Sequence, residues 1–309
     1  MIPYACMDDA VLDVTRLARS MTYKSALAGI KYGGGKSVII PPKNKYNRIE
    51  LFEAFGKLVN SLEGNYITAI DSGTTMADMG VVSTKTSYVT GYSQQSKCKV
   101  NPSFYTAAGV FEALQASADY KFASRDLNNL KILVKGVGNV GNYVVELATK
   151  SGASVFVTDT DSEKLSLCTR RYGVTPVIPS EAITMNVDIL CPCDVLHTIT
   201  EENIDDIKAK VIVGATNNQL SSEELADELK SRNILYCPDY LANAGGLIYV
   251  TKLYEKASLD DIESYIYKIG ETARNIFHLA AKENISTVKA ANICADRLLQ
   301  SHQKTTESA

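Results

Sequence analysis

Two lysines and an aspartate carry the chemistry open to this sequence. Lys24 and Lys36 lie twelve residues apart, and Gly33-Gly34-Gly35 runs directly into the second. Glycine is costly to order, so three in a row mark backbone that turns tightly or approaches something closely. Val38-Ile39-Ile40 follows and reads as a buried strand. At the exit of such a turn, desolvation lowers a lysine pKa, as a base or nucleophile requires. A surface turn with a solvated lysine is the other reading, and these residues alone do not separate the two. Asp71 closes the apolar run Tyr66-Ile67-Thr68-Ala69-Ile70, ahead of Ser72-Gly73-Thr74-Thr75. A carboxylate there is placed for catalysis or to cap a helix, and the cap is the commoner use.

A second centre lies further on. Lys131-Ile132-Leu133-Val134 reads as a strand, then come Gly136-Val137-Gly138-Asn139-Val140-Gly141 and a helix through Leu147. The next strand, Val155-Phe156-Val157-Thr158, ends in Asp159, 18 positions after the third glycine. Glycine turn, helix start and terminal acid together make the dinucleotide arrangement. The glycines bring the pyrophosphate to the helix N-terminus, and Asp159 accepts from ribose hydroxyls. A carboxylate there repels a 2′-phosphate, which favours NAD over NADP. Strands at 188–190, 211–214 and 234–237 continue the α/β spacing, with the loop Ala215-Thr216-Asn217-Asn218-Gln219 and the turn Asn243-Ala244-Gly245-Gly246 among them. Such loops line the ligand crevice of a parallel sheet, although Asn and Gly are also ordinary turn residues.

The helices that must position these groups are legible from periodicity. One follows Asp8-Asp9, read as its cap, with Val11, Val14, Leu17, Ala18 and Met21 on its apolar face; another spans Arg48 to Leu62 and stops at Gly64. Thr106 to Ala118 is Ala-rich, and polar Ser124 to Asn129 reads as a boundary. The stripe Ile262, Tyr265, Ile266, Ile269, Ala273, Ile276, Phe277, Ala280 reads as core, a last helix around Val288 to Leu299 packs back on the first domain, and the tail from Lys304 frays. The expected divisions are a substrate domain over 1–125, a Rossmann domain over 126–284, and a returning helix over 285–309.

With 309 residues, two domains are the natural expectation. A net charge of −3 gives no footprint for nucleic acid, and no apolar run is long enough to span a bilayer. The start, MIPYACMDDAV, lacks the order of a signal peptide. The seven cysteines, Cys98 among them, are scattered, Cys191-Pro192-Cys193 is not a C-x-x-C motif, and His197, His278 and His302 have no ligand spacing. A cytoplasmic protein without a structural metal is expected.

The motifs RLARSMTYKSALAG, GGGKSVI, YITAIDSGTT, NPS, GVGNVG, ATNNQL and PDYLANAGG resemble those of the Glu/Leu/Phe/Val amino acid dehydrogenase family, over about residues 9 to 300. The leucine dehydrogenase branch is the most similar. The resemblance implies that Lys24 holds the substrate α-carboxylate, Lys36 activates a water, and Asp71 transfers protons at the amino nitrogen. It places Asn218 on the amino group and Met21 and Val250 around the side chain. Thr106 orients the nicotinamide, and Gly136, Gly138, Asn139, Val140, Gly141 and Asp159 hold NAD. The reaction implied is NAD-dependent oxidative deamination of leucine, valine or isoleucine, by a homo-oligomer. The family pattern carries a further segment ahead of Met1, including part of the substrate wall. A shortened, impaired NAD-binding relative is therefore the alternative, as is glutamate as substrate. Phe104-Tyr105 after NPS and Asp194 after Cys193 depart from the family pattern.

Overall fold

The computed structural model describes residues 1–92, 101–195 and 198–307, with side chains to residue 301; Cys98, His197 and the end of the tail lie outside the described residues. In chain order the elements are α1 (Met7–Leu27), α2 (Arg48–Ser61), β1 (Thr68–Ala69), α3 (Met76–Ser83), β2 (Val89–Thr90) and α4 (Pro102–Phe122). Then follow β3 (Lys131–Lys135), α5 (Asn139–Lys150), β4 (Ser154–Thr158), α6 (Ser162–Tyr172), β5 (Thr175–Pro176), β6 (Ile189–Pro192) and β7 (Val211–Ile212). The chain ends with α7 (Leu225–Ser231), β8 (Leu235–Tyr236), α8 (Asp239–Ala242), α9 (Gly245–Tyr254), α10 (Leu259–Glu283) and α11 (Thr287–Glu307).

Six parallel strands form the frame, in the order β5-β4-β3-β6-β7-β8. Numbered within the sheet this is 3-2-1-4-5-6, the doubly wound order, whose strand direction reverses its progress between β3 and β6. Its central strands are apolar on both faces: Ile132, Leu133, Val134, Ile189, Leu190 and Cys191 are at most 1% exposed. A parallel sheet covered by helices on both sides demands this. The stripe on α10 is core, with Ile262, Ile266, Ile269, Ala273, Ile276, Phe277 and Ala280 buried; each of the large side chains contributes about 1.5–3 kcal/mol. Tyr265 lies at its edge, half-buried under the Lys252 ammonium, 3.9 Å from the ring centre.

The first part of the chain is mostly helical. Among the described residues its sheet is the parallel pair β1-β2, Thr68 beside Val89 and Ala69 beside Thr90. Several boundaries differ from the sequence expectation. Val38-Ile39-Ile40 is not a strand: no strand runs beside it among the described residues, so an extended segment gains no ladder, although Ile2 N–H donates to Ile39 O at 3.3 Å. Val38 and Ile39 are half-buried there and Ile40 is exposed. The cap of α1 is Cys6, with Asp8 and Asp9 inside the first turn, where carboxylates suit the helix dipole. Helix α4 is longer than its Ala-rich middle, because Asn101 caps it and Pro102 fits its first turn. Helix α11 continues through the expected fraying point to Glu307. It packs against α1, where Tyr23 Oη donates to Asp296 at 2.8 Å.

Helix α4 packs on α5, α9 and α10. Its contact with α9 is close because Gly245 and Gly246 stand at the crossing. A Cβ on Gly245 would lie 1.9 Å from Tyr105 O, and one on Gly246 2.5 Å from Thr106 Oγ1. Gly245→Ala is therefore expected to push α9 off α4 and lower stability by about 1–3 kcal/mol, read as a lower urea midpoint. A midpoint equal to wild type contradicts that close approach.

Candidate active site

The glycine triplet approaches a helix. Gly34 lies against the backbone of α1, where an added Cβ would be 2.0 Å from Thr22 N; one on Gly35 would be 3.0 Å from the Tyr66 ring. Ser25 Oγ donates to Gly33 O at 3.4 Å. Residues beyond α1 therefore fold back along Met21 and Thr22, and Lys36 returns to the neighbourhood of Lys24. The fold-back is tied to α9, by the Lys31–Glu255 ion pair at 3.4 Å and by Tyr32 edge-on to Tyr254.

Lys36 Nζ is ion-paired with Asp71, so the two sequence-marked groups meet directly. Lys36 is not a free surface lysine; its side chain is 21% exposed. Nor does Asp71 cap a helix: Thr75 does, in a reciprocal box with Asp78. The Asp71 loop has a scaffold. Ser72 N–H donates to Asp71 Oδ1 at 2.7 Å, and Asp71 N–H to Thr74 Oγ1 at 2.9 Å. Arg48, from α2, grips Asp78 through Nε at 2.8 Å and Nη2 at 2.7 Å, and donates to Gly73 O at 3.0 Å. Burial pushes the Asp71 carboxyl up, but hydrogen bonding to Lys36, the charge of Lys36, the Ser72 amide and Lys24 outweigh it and hold the group below its ordinary value.

Lys24 is half-buried near the C-terminus of α1, with its ammonium in the protein interior. Burial above all, with Asp239 opposing it, Lys36 adding to it and Asp71 opposing it, brings its pKa down to about 8. Its Nζ donates to Asn217 Oδ1 at 3.4 Å, and the same oxygen accepts from Asn243 Nδ2 at 2.8 Å. The Asn243 amide also donates to Ala215 O at 3.1 Å, while its Oδ1 is buried without a partner. Neighbouring Asn218 sits at φ 50, and Asn217 is the residue whose side chain reaches Lys24. Val250 is half-buried on α9, its carbonyl accepting from Thr90 Oγ1 at 2.9 Å. Met21 is half-buried on α1, beside the glycine fold-back.

Asp239 was not among the residues singled out from the sequence. It is 9% exposed, and main-chain N–H groups of Asn218, Tyr240 and Gln219 converge on it. The available signal was its position, an acid after Pro238 at the C-terminal end of β8. Arg48 and Asp78 carried no such signal, being separated by 30 residues and joined only in space.

The glycine turn has the geometry a dinucleotide needs. Gly136 has φ 98, and a Cβ there would lie 2.7 Å from Asp194 N; one on Gly141 would lie 2.0 Å from Gly136 O. Gly138, the N-cap of α5, has no side-chain cap and open space where a Cβ would stand, so the helix N-terminus beginning at Asn139 and Val140 is free to face an anion. Asp159 accepts from Val137 N–H and Asp161 N–H, each at 2.8 Å, which fixes the carboxylate beside the turn with lone pairs to spare. Thr106 lies at the start of α4, its hydroxyl donating to Pro102 O at 3.2 Å and facing Gly246.

A doubly wound sheet with this turn at its switch point defines a dinucleotide-dependent oxidoreductase fold. The chain belongs to the Glu/Leu/Phe/Val dehydrogenase family and is an amino acid dehydrogenase: residues 1–88 match the "Glu/Leu/Phe/Val dehydrogenase, dimerisation domain", and residues 158–305 match "Glutamate/Leucine/Phenylalanine/Valine dehydrogenase". Family members use NAD(P). Leucine dehydrogenase of Geobacillus stearothermophilus is 36% identical over 97% of this chain and 82% of its own length. Valine dehydrogenase of Streptomyces virginiae is 38% identical over 96% of this chain and 83% of its own. The crystal structure of L-tryptophan dehydrogenase from Nostoc punctiforme superposes with a TM-score of 0.88 at 34% identity, covering 98% of this chain and 86% of that one.

The Arg48–Asp78 grip generates a test. Arg48, before any other influence, holds the Asp78 carboxyl below its ordinary 3.8. A depressed carboxyl stabilises the fold above its unfolded value and loses that contribution as pH falls through the depressed one. Arg48→Met is therefore expected to cost about 1–3 kcal/mol at pH 7, with the gap to wild type closing under acid conditions. Urea titrations at several pH values read it, and a gap independent of pH contradicts the ion-pair account.

Proposed function

We propose that the chain catalyses the reversible NAD-dependent oxidative deamination of an aliphatic L-amino acid, leucine, valine or isoleucine, to the 2-oxo acid and ammonia. The observation that carries this reading is the meeting of Lys24, Lys36 and Asp71 opposite the loops that leave β7 and β8. In this reading the Lys24 ammonium holds the substrate carboxylate, and Asn217 and Asn218 border the amino group. The turn at Gly136, Gly138 and Gly141, the helix start at Asn139 and Val140, and Asp159 hold NAD, which when bound supplies the hydride acceptor. Thr106 orients the nicotinamide from the start of α4. Asp71 takes a proton from the substrate ammonium, hydride leaves Cα, and the amino nitrogen becomes an iminium. Lys36, once its own proton has left the cleft, takes one from water as the oxygen adds to Cα. Asp71 gives its proton to nitrogen and then takes the hydroxyl proton as the C–N bond breaks, which releases the 2-oxo acid and ammonia.

Aliphatic selectivity is supported by apolar Met21 and Val250, neither of which offers a partner to a second carboxylate. NAD over NADP is supported by Asp159, fixed by two main-chain donors where a 2′-phosphate would stand. A homo-oligomer is supported by the match of 1–88 to a dimerisation domain and by exposed Met7, Val11, Leu12, Ile49 and Leu58 on α1 and α2. Among the described residues no helix is long and apolar enough to cross a membrane. A cytoplasmic setting is supported by Cys168, Cys191 and Cys237, which are buried in the core as small hydrophobic side chains. The proposed divisions remain 1–125 for substrate, 126–284 for the dinucleotide and 285–309 returning through α11 onto α1.

NADH formation is expected with leucine, valine or isoleucine, with NADP and glutamate each at least tenfold poorer by kcat/KM. Tryptophan belongs in the same screen. Lys36→Ala is expected to lower kcat by about three orders of magnitude while NADH fluorescence titration is unchanged. Folded protein that turns over no apolar L-amino acid would sink the proposal.

A further inference from the structure

Lys24 poses an electrostatic problem that its direct contacts do not solve. Among the described residues its side-chain hydrogen-bond partner is a neutral amide oxygen, at the long distance of 3.4 Å. Lys36, the neighbouring cation, makes its charge harder to keep, and the Asp71 carboxylate is already committed to Lys36. A desolvated ammonium in that position needs another negative charge behind it.

We propose that Asp239 is the positioning residue of the substrate-carboxylate subsite: its carboxylate takes the main-chain N–H groups of Asn218 and Gln219, pinning the loop that presents Asn217 to Lys24, and supplies the counter-charge to that ammonium. This rests on the reading of Lys24 as the carboxylate holder and deepens it. Asp239 makes no ion pair within 4.0 Å among the described residues, so it acts on Lys24 through space rather than by consuming the ammonium's hydrogen bonds. The ammonium therefore stays available to a ligand. The same carboxylate takes main-chain N–H bonds from Asn218 and Gln219, holding the loop where Asn218 adopts its left-handed φ of 50. Tyr236 Oη stands 3.4 Å from Oδ1.

The titratable groups facing Asp239 are Lys24 from α1, Tyr236 from β8, Cys237 just after it, and Tyr240 on α8. Those facing Lys24 are Asp239, Lys36 and Asp71. Burial lifts the tyrosines and the thiol, so they are neutral at pH 7, and Lys24 is the cation that Asp239 faces. Burial also raises the Asp239 carboxyl, while Lys24 and the three N–H groups pull it back toward its charged form. The coupling is reciprocal: removing either charge moves the titration of the other.

The test does not need turnover. Acetic anhydride labelling across pH, read at Lys24 by peptide mass spectrometry, reports the protonation midpoint in wild type and in Asp239→Asn. The midpoint, near 8 in wild type, is expected to fall in the variant, with labelling of Lys24 at pH 7 rising severalfold. In turnover, KM for leucine is expected to rise about tenfold, its alkaline limb moving to lower pH, with kcat within about twofold and NADH binding unchanged. An unmoved Lys24 midpoint in folded Asp239→Asn overturns the proposal, whatever the activity. If wild type turns over no amino acid while the midpoint still moves, the assignment of the reaction fails and the charge coupling stands. Should Asp239→Asn not fold, Lys24→Met carries the reciprocal test. The Asp239 carboxyl, followed by carbon NMR, then titrates at higher pH than in wild type, and an unchanged titration overturns the proposal.

Discussion

Two ammonium groups held in one partly desolvated cleft impose the constraint on which this structure turns. Like charges at short range in a low-dielectric setting repel strongly, and each must find an anion or lose its proton. The chain answers with two carboxylates from different places. Asp71 closes on Lys36 directly, and Asp239 faces Lys24 from beneath a loop. The cations come from α1 and the segment that folds back on it; the anions come from the loop after β1 and the start of α8. Neither lysine is compensated by its own element. The balance at Lys24 therefore exists only when the first part of the chain and the Rossmann sheet are packed together.

That dependence explains where the glycines are. Gly34 lets the backbone touch α1, so that Lys36 is delivered beside Lys24. Gly245 and Gly246 let α9 cross α4 closely, and α9 in turn receives Lys31 and Tyr32 through Glu255 and Tyr254. The scaffolding of Asp71 belongs to the same logic, since a carboxylate that must meet one ammonium cannot sit on an unsupported loop. Arg48 spans from α2 to hold both Asp78 and Gly73, using a planar fork that lysine does not have.

Features with local chemical causes were legible in the sequence. The glycine turn, its strand and helix, and Asp159 are where periodicity and spacing put them, because a dinucleotide site is specified by one continuous βαβ stretch. The sheet, the α10 stripe and the return of α11 to α1 follow from apolar patterning. Val38-Ile39-Ile40 shows the opposite case: its composition suits a strand, but a strand is a pairwise structure and among the described residues no strand lies beside it. Tyr66–Ile70 shortened to two residues for the same reason, since β2 pairs with no more of it. The role of Asp71 was ambiguous because a helix begins only a few residues later; three-dimensional placement gave the cap to Thr75. Asp239, Asn217 and the Arg48–Asp78 grip were not legible, because their significance lies in partners far away along the chain.

Asp194 shows how a departure from a family pattern is accommodated. A carboxylate after β6, next to Gly136 at the switch point, stands close to where the helix N-terminus of α5 invites an anion. Alone it would oppose that invitation. It is ion-paired with Lys135, the residue before Gly136, and its Oδ1 accepts from Thr198 Oγ1 at 2.8 Å and Thr216 Oγ1 at 2.9 Å. The pair cancels the charge and the hydroxyls satisfy the remaining acceptor capacity. Thr216 also donates to Asp194 O at 3.1 Å, tying the β6 turn to the loop that leads into Asn217 and Gln219. The loop that Asp239 holds at one end is therefore held at the other by the switch point, and the two ligand regions of the cleft share one rigid connection. An anion that would have weakened the dinucleotide crevice instead fastens it to the loop facing Lys24.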